Sequence, residues 1–362
     1  MAETENATVG NRRSLKVALA GLSHDHVQGV LQRYQEGKIS IVGIAEQDEE
    51  LVQRYQKQFH LPKSLFYKSL SRLLQIRKPV AVMAFNAIAG HVGVVEKCAP
   101  LGIHVMVEKP LATSLQDAEH MAKLARQHNI YLLTNYETTW YPSNQEVLIM
   151  VNHKLNIGEV RKMVVHDGNA GPKEIGCSAE FLDWLTDPEM NGGGAIMDFG
   201  CYGANLMTCL MQGQRPKAVT AVTRQLKPHV YPDVDDDATI LLEYPKATGI
   251  IEASWNWPFD IKDLEVYGES GYLQAVNHDF LRKKGAGDET YRVERIESLA
   301  EPYEDYTSYF AAVVNGEIKP KGDLSSLENN LIVMEILEAA RQSAREERRV
   351  VLEEQEKHLA ED

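Results

Sequence analysis

Lys16-Val17-Ala18-Leu19-Ala20-Gly21-Leu22-Ser23-His24-Asp25-His26, followed by a helical Val27–Tyr34, is the stretch that decides the fold. A short apolar run enters a glycine and a polar turn, and a helix follows at once, which is how a parallel α/β unit opens. The same alternation continues downstream. Ile39–Ala45, Val80–Phe85, His104–Val107 and Tyr131–Thr134 read as strands, with helices at Gln47–Phe59, Ser69–Ile76, His91–Ala99 and Ser114–His128 between them. Ser114 is placed to cap its helix, with Asp117 three residues on, and Asn129 stands at the expected stop. Repeated strand–helix pairs predict a parallel sheet with helices on both faces.

Beyond about Asn135 the pattern changes. Val160–His166, Ala218–Arg224, Ala238–Tyr244, Gly249–Trp255 and Leu264–Gly268 are β-rich runs separated by turn residues, which predicts an α+β half with a largely antiparallel sheet covered on one face. Ser325–Glu346 has helical apolar spacing. The expected organisation is a tail at 1–14, a parallel α/β domain at 15–138, an α+β domain at 139–352 and a charged tail at 353–362.

Composition narrows the function classes. The 362 residues carry 38 Lys and Arg against 52 Asp and Glu, a formal charge of −14, which disfavours nucleic acid and anionic membrane surfaces as partners. Hydrophobic residues make up 44% and charged residues 25%, as in ordinary globular chains, and no run approaches the roughly 20 apolar residues of a membrane span. Cys98, Cys177, Cys201 and Cys209 form neither a C-x-x-C pair nor a zinc spacing, so a reducing compartment is expected. Arg12-Arg13-Ser14-Leu15-Lys16 resembles a twin-arginine export signal, but Val17–Leu22 is shorter than the apolar region of about 7–15 residues that such a signal carries. A cytoplasmic location is the expectation.

Four motifs bear chemistry. The first turn presents backbone N–H groups and a helix N-terminus to a pyrophosphate; Gly21 fills the first glycine position of the usual G-x-G-x-x-G, while Ser23 and His26 replace the second and third. Glu46, 25 residues after Gly21, stands where a carboxylate would accept the ribose hydroxyls and repel a 2′-phosphate, favouring NAD over NADP. His24 and His26 invite a metal reading, but no third ligand stands near them in the sequence, so no metal is expected; contacts to cofactor or substrate are preferred, with a purely structural role as the alternative. Val107-Glu108-Lys109-Pro110 ends a strand on the side where open parallel sheets bind ligands. Lastly, Gly192-Gly193-Gly194 allows something to approach the backbone closely, and a helix from Ala195 would set Asp198, Tyr202 and Asn205 on one polar stripe.

Together these motifs resemble the Gfo/Idh/MocA oxidoreductases, over essentially Leu15 to Leu352, with Asn86–His91 in the position of the family's strand-four loop. The resemblance implies an α/β protein with an N-terminal Rossmann domain that binds a nicotinamide cofactor at 15–138, an α+β domain with an open, mostly antiparallel sheet for substrate binding and oligomerisation at 139–352, and a sugar, cyclitol or related polyol as substrate. Lys109 matches the family's catalytic lysine and Asp198 the aspartate that supports it. Tyr202 falls where many members have histidine and resembles the branch of glucose–fructose oxidoreductase and dihydrodiol dehydrogenase. The resemblance also implies a homo-oligomer, dimer or tetramer. Asn135-Tyr136-Glu137-Thr138-Thr139-Trp140 departs from the commoner arginine-containing loop.

The cofactor set expected on these grounds is Gly21, Leu22, Ser23, His24, His26, Glu46, Asn86, His91, Glu108 and Lys109. Substrate contacts are expected from Lys109, Glu137, Trp140, His166, Asp183, Trp184, Asp198, Tyr202 and Trp255, because aromatic faces and carboxylates suit hydroxyl-rich rings. Tyr202 would move the proton, with the Lys109 ammonium lowering its pKa and Asp198 orienting the lysine. Two other readings stay open: a glycosidase working by oxidation, elimination and re-reduction on tightly bound NAD, and a non-catalytic sensor of sugar or dinucleotide. Asp235-Asp236-Asp237 is read as a turn with one inward acid.

Overall fold

The structure, a computed structural model, describes residues 15–153 and 157–352. The expected tails, and Arg12-Arg13 with the first, lie outside the described residues. In the first half β1 (Lys16–Ala20), β2 (Ser40–Ala45), β3 (Phe66–Tyr67), β4 (Ala81–Ala84), β5 (His104–Glu108) and β6 (Leu132–Asn135) alternate with α1 (Val27–Gln35), α2 (Glu49–Gln58), α3 (Leu70–Arg77), α4 (His91–Cys98) and α5 (Leu115–Gln127). The six strands form one parallel sheet in the order β3-β2-β1-β4-β5-β6. Alternate residues feed separate cores: Val17, Leu19 and Met83 pack on one face, Ala18, Val82 and Val105 on the other. Reversal of strand order at β1 and β4 opens a crevice past their carboxyl ends.

The second half comprises α6 (Pro142–Asn152), β7 (Val160–Gly168), α7 (Ala179–Leu185), α8 (Pro188–Asn191), α9 (Ala195–Asp198), α10 (Gly200–Leu210), β8 (Ala218–Arg224), β9 (Asp237–Glu243), β10 (Thr248–Ser254), β11 (Ile261–Gly268), β12 (Gly271–Ala275), β13 (Phe280–Gly285), β14 (Arg292–Arg295), α11 (Tyr306–Val314), α12 (Leu327–Glu346) and β15 (Val350–Val351). Its sheet runs β14-β13-β12-β11-β7-β10-β9-β8-β15, antiparallel except where β7 meets β10. Inward residues such as Met163, Val165, Ile240 and Ile251 pack under helices, and the opposite face is open. The chain then returns to the first half: Tyr309, Phe310 and Val313 of α11 join the core around Val17 and Leu19.

The polar stripe expected from Ala195 is broken. Helix α9 ends at Asp198 and α10 begins at Gly200, so Asp198 and Tyr202 meet at the joint, whereas Asn205 turns away and donates to Leu324 O at 2.7 Å. The triple glycine is approached by the chain's own backbone. An ideal Cβ on Gly194 would lie 1.7 Å from Asp235 O, and Asp235 accepts from Gly194 N and Ile196 N at 2.9 and 2.7 Å. Asp236 is also inward, accepting from Leu226 N and Lys227 N, so the aspartate turn directs two acids inward. Among the described residues no helix is long and apolar enough to cross a membrane.

Candidate active site

Lys109 follows the last residue of β5 and reaches across the seam between the halves to the α9–α10 joint. Its ammonium donates to the Asp198 carboxylate and, at 2.9 Å, to the Asp198 carbonyl oxygen. Both side chains are buried, Lys109 5% and Asp198 7% exposed. Burial alone would lower the lysine pKa, but the carboxylate more than reverses that and holds it above the ordinary value. Trp255, wholly buried, donates its indole N–H to the other Asp198 oxygen at 3.0 Å. It borders the cavity and fixes the aspartate, a different part from the stacking face expected of it.

Tyr202 lines the same cavity of about 200 Å³, with His24, His26, Lys109, Glu137 and Lys262. Lys109 Nζ lies 5.0 Å and Lys262 Nζ 5.1 Å from the centroid of its ring. The expected lowering of the tyrosine pKa is not what this site produces: burial, then Glu137 and Asp167, push the phenol well above its ordinary value. Tyr202 is therefore a protonated phenol here. Lys262 and Asp167 are residues the sequence analysis missed. They face each other across β11 and β7, Lys262 pairs with Glu137, and Asp167 is 1% exposed with Oδ1 unpartnered. Neither belongs to a motif; the strands expected at Val160–His166 and Leu264–Gly268 stop one residue short of Asp167 and begin two after Lys262, and it is the pairing of β11 with β7 that brings both to the site.

A second hollow of about 630 Å³ runs from the first turn along β2 and β4, lined by Gly21, Ser23, Glu46, Asn86, Gly90 and Lys97 among others. Gly21 has φ of +86°, and an ideal Cβ there would lie 2.7 Å from Asn86 Cβ, so the turn admits no side chain at this position. Glu46 accepts from Leu22 N at 2.8 Å and from Gln47 N and Asp48 N at 2.7 and 3.0 Å, which leaves its carboxylate fixed at the rim of the hollow. Leu22 takes part through its backbone, its side chain lying in the core. A glycine cradle beside a fixed acid fits a dinucleotide.

Several expected contacts lie elsewhere. His166 shares β7 with Asp167, and strand alternation turns it to the open face, where Nδ1 pairs with Asp263 Oδ1 at 2.7 Å. Asp183 is exposed on α7. Trp184 on the same helix is buried over the first turn and donates to Ser23 O at 3.2 Å. Trp140 packs on Tyr309 and donates to Asn135 Oδ1 at 2.9 Å, away from the cavity wall. His91 is wholly buried with Nδ1 3.1 Å from Leu111 O, and burial pushes its pKa down to about 4; it is a core residue, lining neither hollow.

Glu108 closes the group. It is 1% exposed, and its Oε2 lies 2.9 Å from His26 Nδ1 and 3.9 Å from His24 Nε2. The fold thus supplies the third donor that the sequence did not show beside the two histidines. His24 Nδ1 accepts from His26 N at 3.2 Å.

A parallel sheet with a glycine turn and a fixed acid after its second strand is a dinucleotide-binding fold, and a buried charged lysine stands at its seam with the second half. Residues 15–136 match the oxidoreductase family with an NAD-binding Rossmann fold, and residues 153–274 match the GFO/IDH/MocA C-terminal domain. The chain belongs to the Gfo/Idh/MocA family. It is 27% identical over 206 residues to trans-1,2-dihydrobenzene-1,2-diol dehydrogenase of Xenopus tropicalis, a match covering 56% of this chain and 57% of that one. The Macaca fascicularis protein of the same name is 24% identical over 264 residues, 72% and 73% of the two chains. The chain therefore spans little over half the length of the first of these relatives. Aldose–aldose oxidoreductase from Caulobacter crescentus, solved with glycerol, has the same fold, with TM-score 0.79 at 22% identity over 94% of this chain and 100% of that one. So does an inositol dehydrogenase homologue from Azotobacter vinelandii, solved with NAD+, at TM-score 0.80 and 17% identity over 94% and 98%.

Proposed function

We propose that this chain is an NAD-dependent oxidoreductase that interconverts CH–OH and carbonyl on a sugar, cyclitol or related vicinal diol. The observation that carries it is the buried Lys109–Asp198 pair beside Tyr202 in a cavity next to the glycine-turn hollow. Dihydrobenzenediol, inositol and aldoses, named in the relatives, share adjacent oxygens on a compact ring or chain. The cavity suits such a neutral molecule, since its ammonium groups are matched by Asp198 and Glu137 and its apolar wall includes Phe181 and Phe199.

The nicotinamide ring, when bound, supplies or receives the hydride. Everything else falls to side chains. The protonated Tyr202 hydroxyl donates to the carbonyl oxygen as it gains charge, and Lys109 and Lys262 stabilise the phenolate left behind. In the opposite direction the same group takes the hydroxyl proton. Asp198, held by Trp255, keeps the lysine charged and in place. Gly21, Ser23, Asn86 and Glu46 would hold the dinucleotide, and the fixed Glu46 carboxylate disfavours a 2′-phosphate, hence NAD.

The test is to denature the purified protein, identify any released dinucleotide, and assay sugars, cyclitols and vicinal diols for reduced nicotinamide. Tyr202→Phe and Lys109→Met should each abolish turnover. Failure to bind either NAD or NADP would overturn the proposal. The homo-oligomer belongs to it as well, through the open face of the second sheet, where Val164, Leu241 and Ile250 are only half-buried; light scattering that finds a monomer would remove that part.

A further inference from the structure

Two departures from the family pattern meet at one carboxylate. His26 stands where a fingerprint glycine is usual, and the unusual Asn135–Trp140 segment begins with the last residue of β6, Asn135, and ends with Trp140 in the turn after it. Asn135 Nδ2 donates to Glu108 Oε1 at 2.8 Å, and Trp140 Nε1, packed on Tyr309, donates to Asn135 Oδ1. The buried Glu108 can therefore turn neither way, and its Oε2 faces His26 Nδ1 at 2.9 Å. A carboxylate only accepts, so the proton of the neutral His26 ring sits on Nδ1 and Nε2 carries the free lone pair. The His26 side chain is 39% exposed and lines the cavity that holds Lys109 and Tyr202.

Hydride transfer with Tyr202 as proton carrier needs no second base. A base near a carbonyl held by Tyr202 and Lys109 has a different use, because that polarisation acidifies the C–H bond on the neighbouring carbon. We propose that His26, oriented by Glu108, is a second general base that removes and returns the proton on the carbon next to the carbonyl of a bound α-hydroxy ketone. The C–H bond breaks, its proton passes to His26 Nε2, its electron pair forms the C=C bond, and the carbonyl oxygen takes the Tyr202 proton to give an enediol. Reversal restores the ketone. No oxidant is consumed, and the His26 proton exchanges with water in the interval. Return of a proton from His26 to the same face gives an isotopically exchanged substrate. The proposal rests on Tyr202 and Lys109 holding a carbonyl, as in the function proposed above.

The same contacts speak against a metal at this cluster. His24 Nδ1 accepts from His26 N, so the His24 proton sits on Nε2, the nitrogen that faces Glu108, and the adjacent Lys109 ammonium repels a cation. The charged groups facing His26 are Glu108 and Lys109 from the end of β5 and Glu137 from the turn after β6, with the neutral His24 ring 4.5 Å away on its own turn.

The test incubates the full chain with NAD+, which cannot reduce a ketone, and dihydroxyacetone, erythrulose or fructose in D2O, following deuterium entry next to the carbonyl by NMR. Reduction of the same ketones by NADH is measured separately. Exchange well above the buffer rate is expected, and His26→Gln should lower it about 100-fold or more. Glu108→Gln should move the acid limb of the exchange profile to lower pH, whereas a merely structural role would lower the rate without moving the limb. Reduction without exchange overturns this proposal and leaves the oxidoreductase reading standing. Exchange without reduction does the reverse, and absence of both overturns the two together.

Discussion

Lys109 donates from one ammonium to both the carboxylate and the backbone carbonyl of Asp198. The two residues come from different halves of the chain, so the bond that keeps the lysine charged also ties the halves together. Removing one partner of a buried pair costs roughly 3–5 kcal/mol, because the other is left uncompensated. Lys109→Met should therefore unfold at lower urea than wild type. Lys109→Met with Asp198→Asn should recover much of that loss, since an amide can be buried neutral and still accept from Trp255. Neither variant should turn over. Recovery of stability without recovery of activity is the expected signature; equal stability of the single and double variants would show that the pair does not carry the seam.

Glu46 accepts three backbone N–H groups, one of them from the glycine turn. A fixed anion at the ribose end should make NADP bind at least about 10-fold more weakly than NAD, or roughly 1.4 kcal/mol. Glu46→Ser should narrow the gap from both sides, weakening NAD and strengthening NADP. It should also lower stability by about 1 kcal/mol or more, because the Leu22, Gln47 and Asp48 N–H groups lose their acceptor. Fluorescence titration with each dinucleotide decides it, and an unchanged ratio in Glu46→Ser would place the selectivity elsewhere.

The parallel sheet was legible because its signal is local. Apolar runs such as Lys16–Ala20 and Ala81–Ala84 stand between amphipathic helices, and each unit repeats the same pattern. Strand β14, by contrast, reads Arg-Val-Glu-Arg with every residue exposed, and β12 and β13 are mixed, so no apolar period announces them. Lys109, Asp198 and Tyr202 were found through motifs. Lys262 and Asp167 belong to none, and only the pairing of β11 with β7 brings them beside Tyr202. His166 was misplaced for the complementary reason, since a one-residue step along a strand changes the face.

Gly194 is required by a backbone approach. A methyl group there would meet Asp235 O at 1.7 Å and Asp235 C at 2.8 Å, with no side chain able to yield. Gly194→Ala should cost more than about 3 kcal/mol, and because this loop leads into the Asp198 joint, catalysis should fall as well. Gly287 has nothing within 4 Å of its ideal Cβ, so Gly287→Ala should stay within about 0.5 kcal/mol of wild type. Thermal melts of the two separate a steric requirement from a general intolerance of alanine. A mild effect at Gly194 would mean that the aspartate turn can move away.

His91 gives the stability a pH dependence of definite sign. Burial lowers its pKa from 6.5 to about 4, so between those values the unfolded chain binds a proton that the folded chain refuses. Its stabilising contribution is complete above about pH 6.5, falls as the pH drops towards 4, and is constant below that; the total is on the order of 3 kcal/mol. His24, also held neutral by burial, acts in the same direction. Glu137, held down to about 2, is lost only at more acid pH, between its unfolded value near 4.5 and that point. Asp235 opposes the histidines, because burial pushes it up to about 6 and its folded form gains stability on protonation. The decisive measurement is therefore a difference. Urea midpoints of wild type and His91→Gln, taken from pH 7.5 down to pH 4.5, should converge as the pH falls, because the variant has no imidazole to protonate on unfolding. Parallel curves would show that His91 accepts its proton without opening the core.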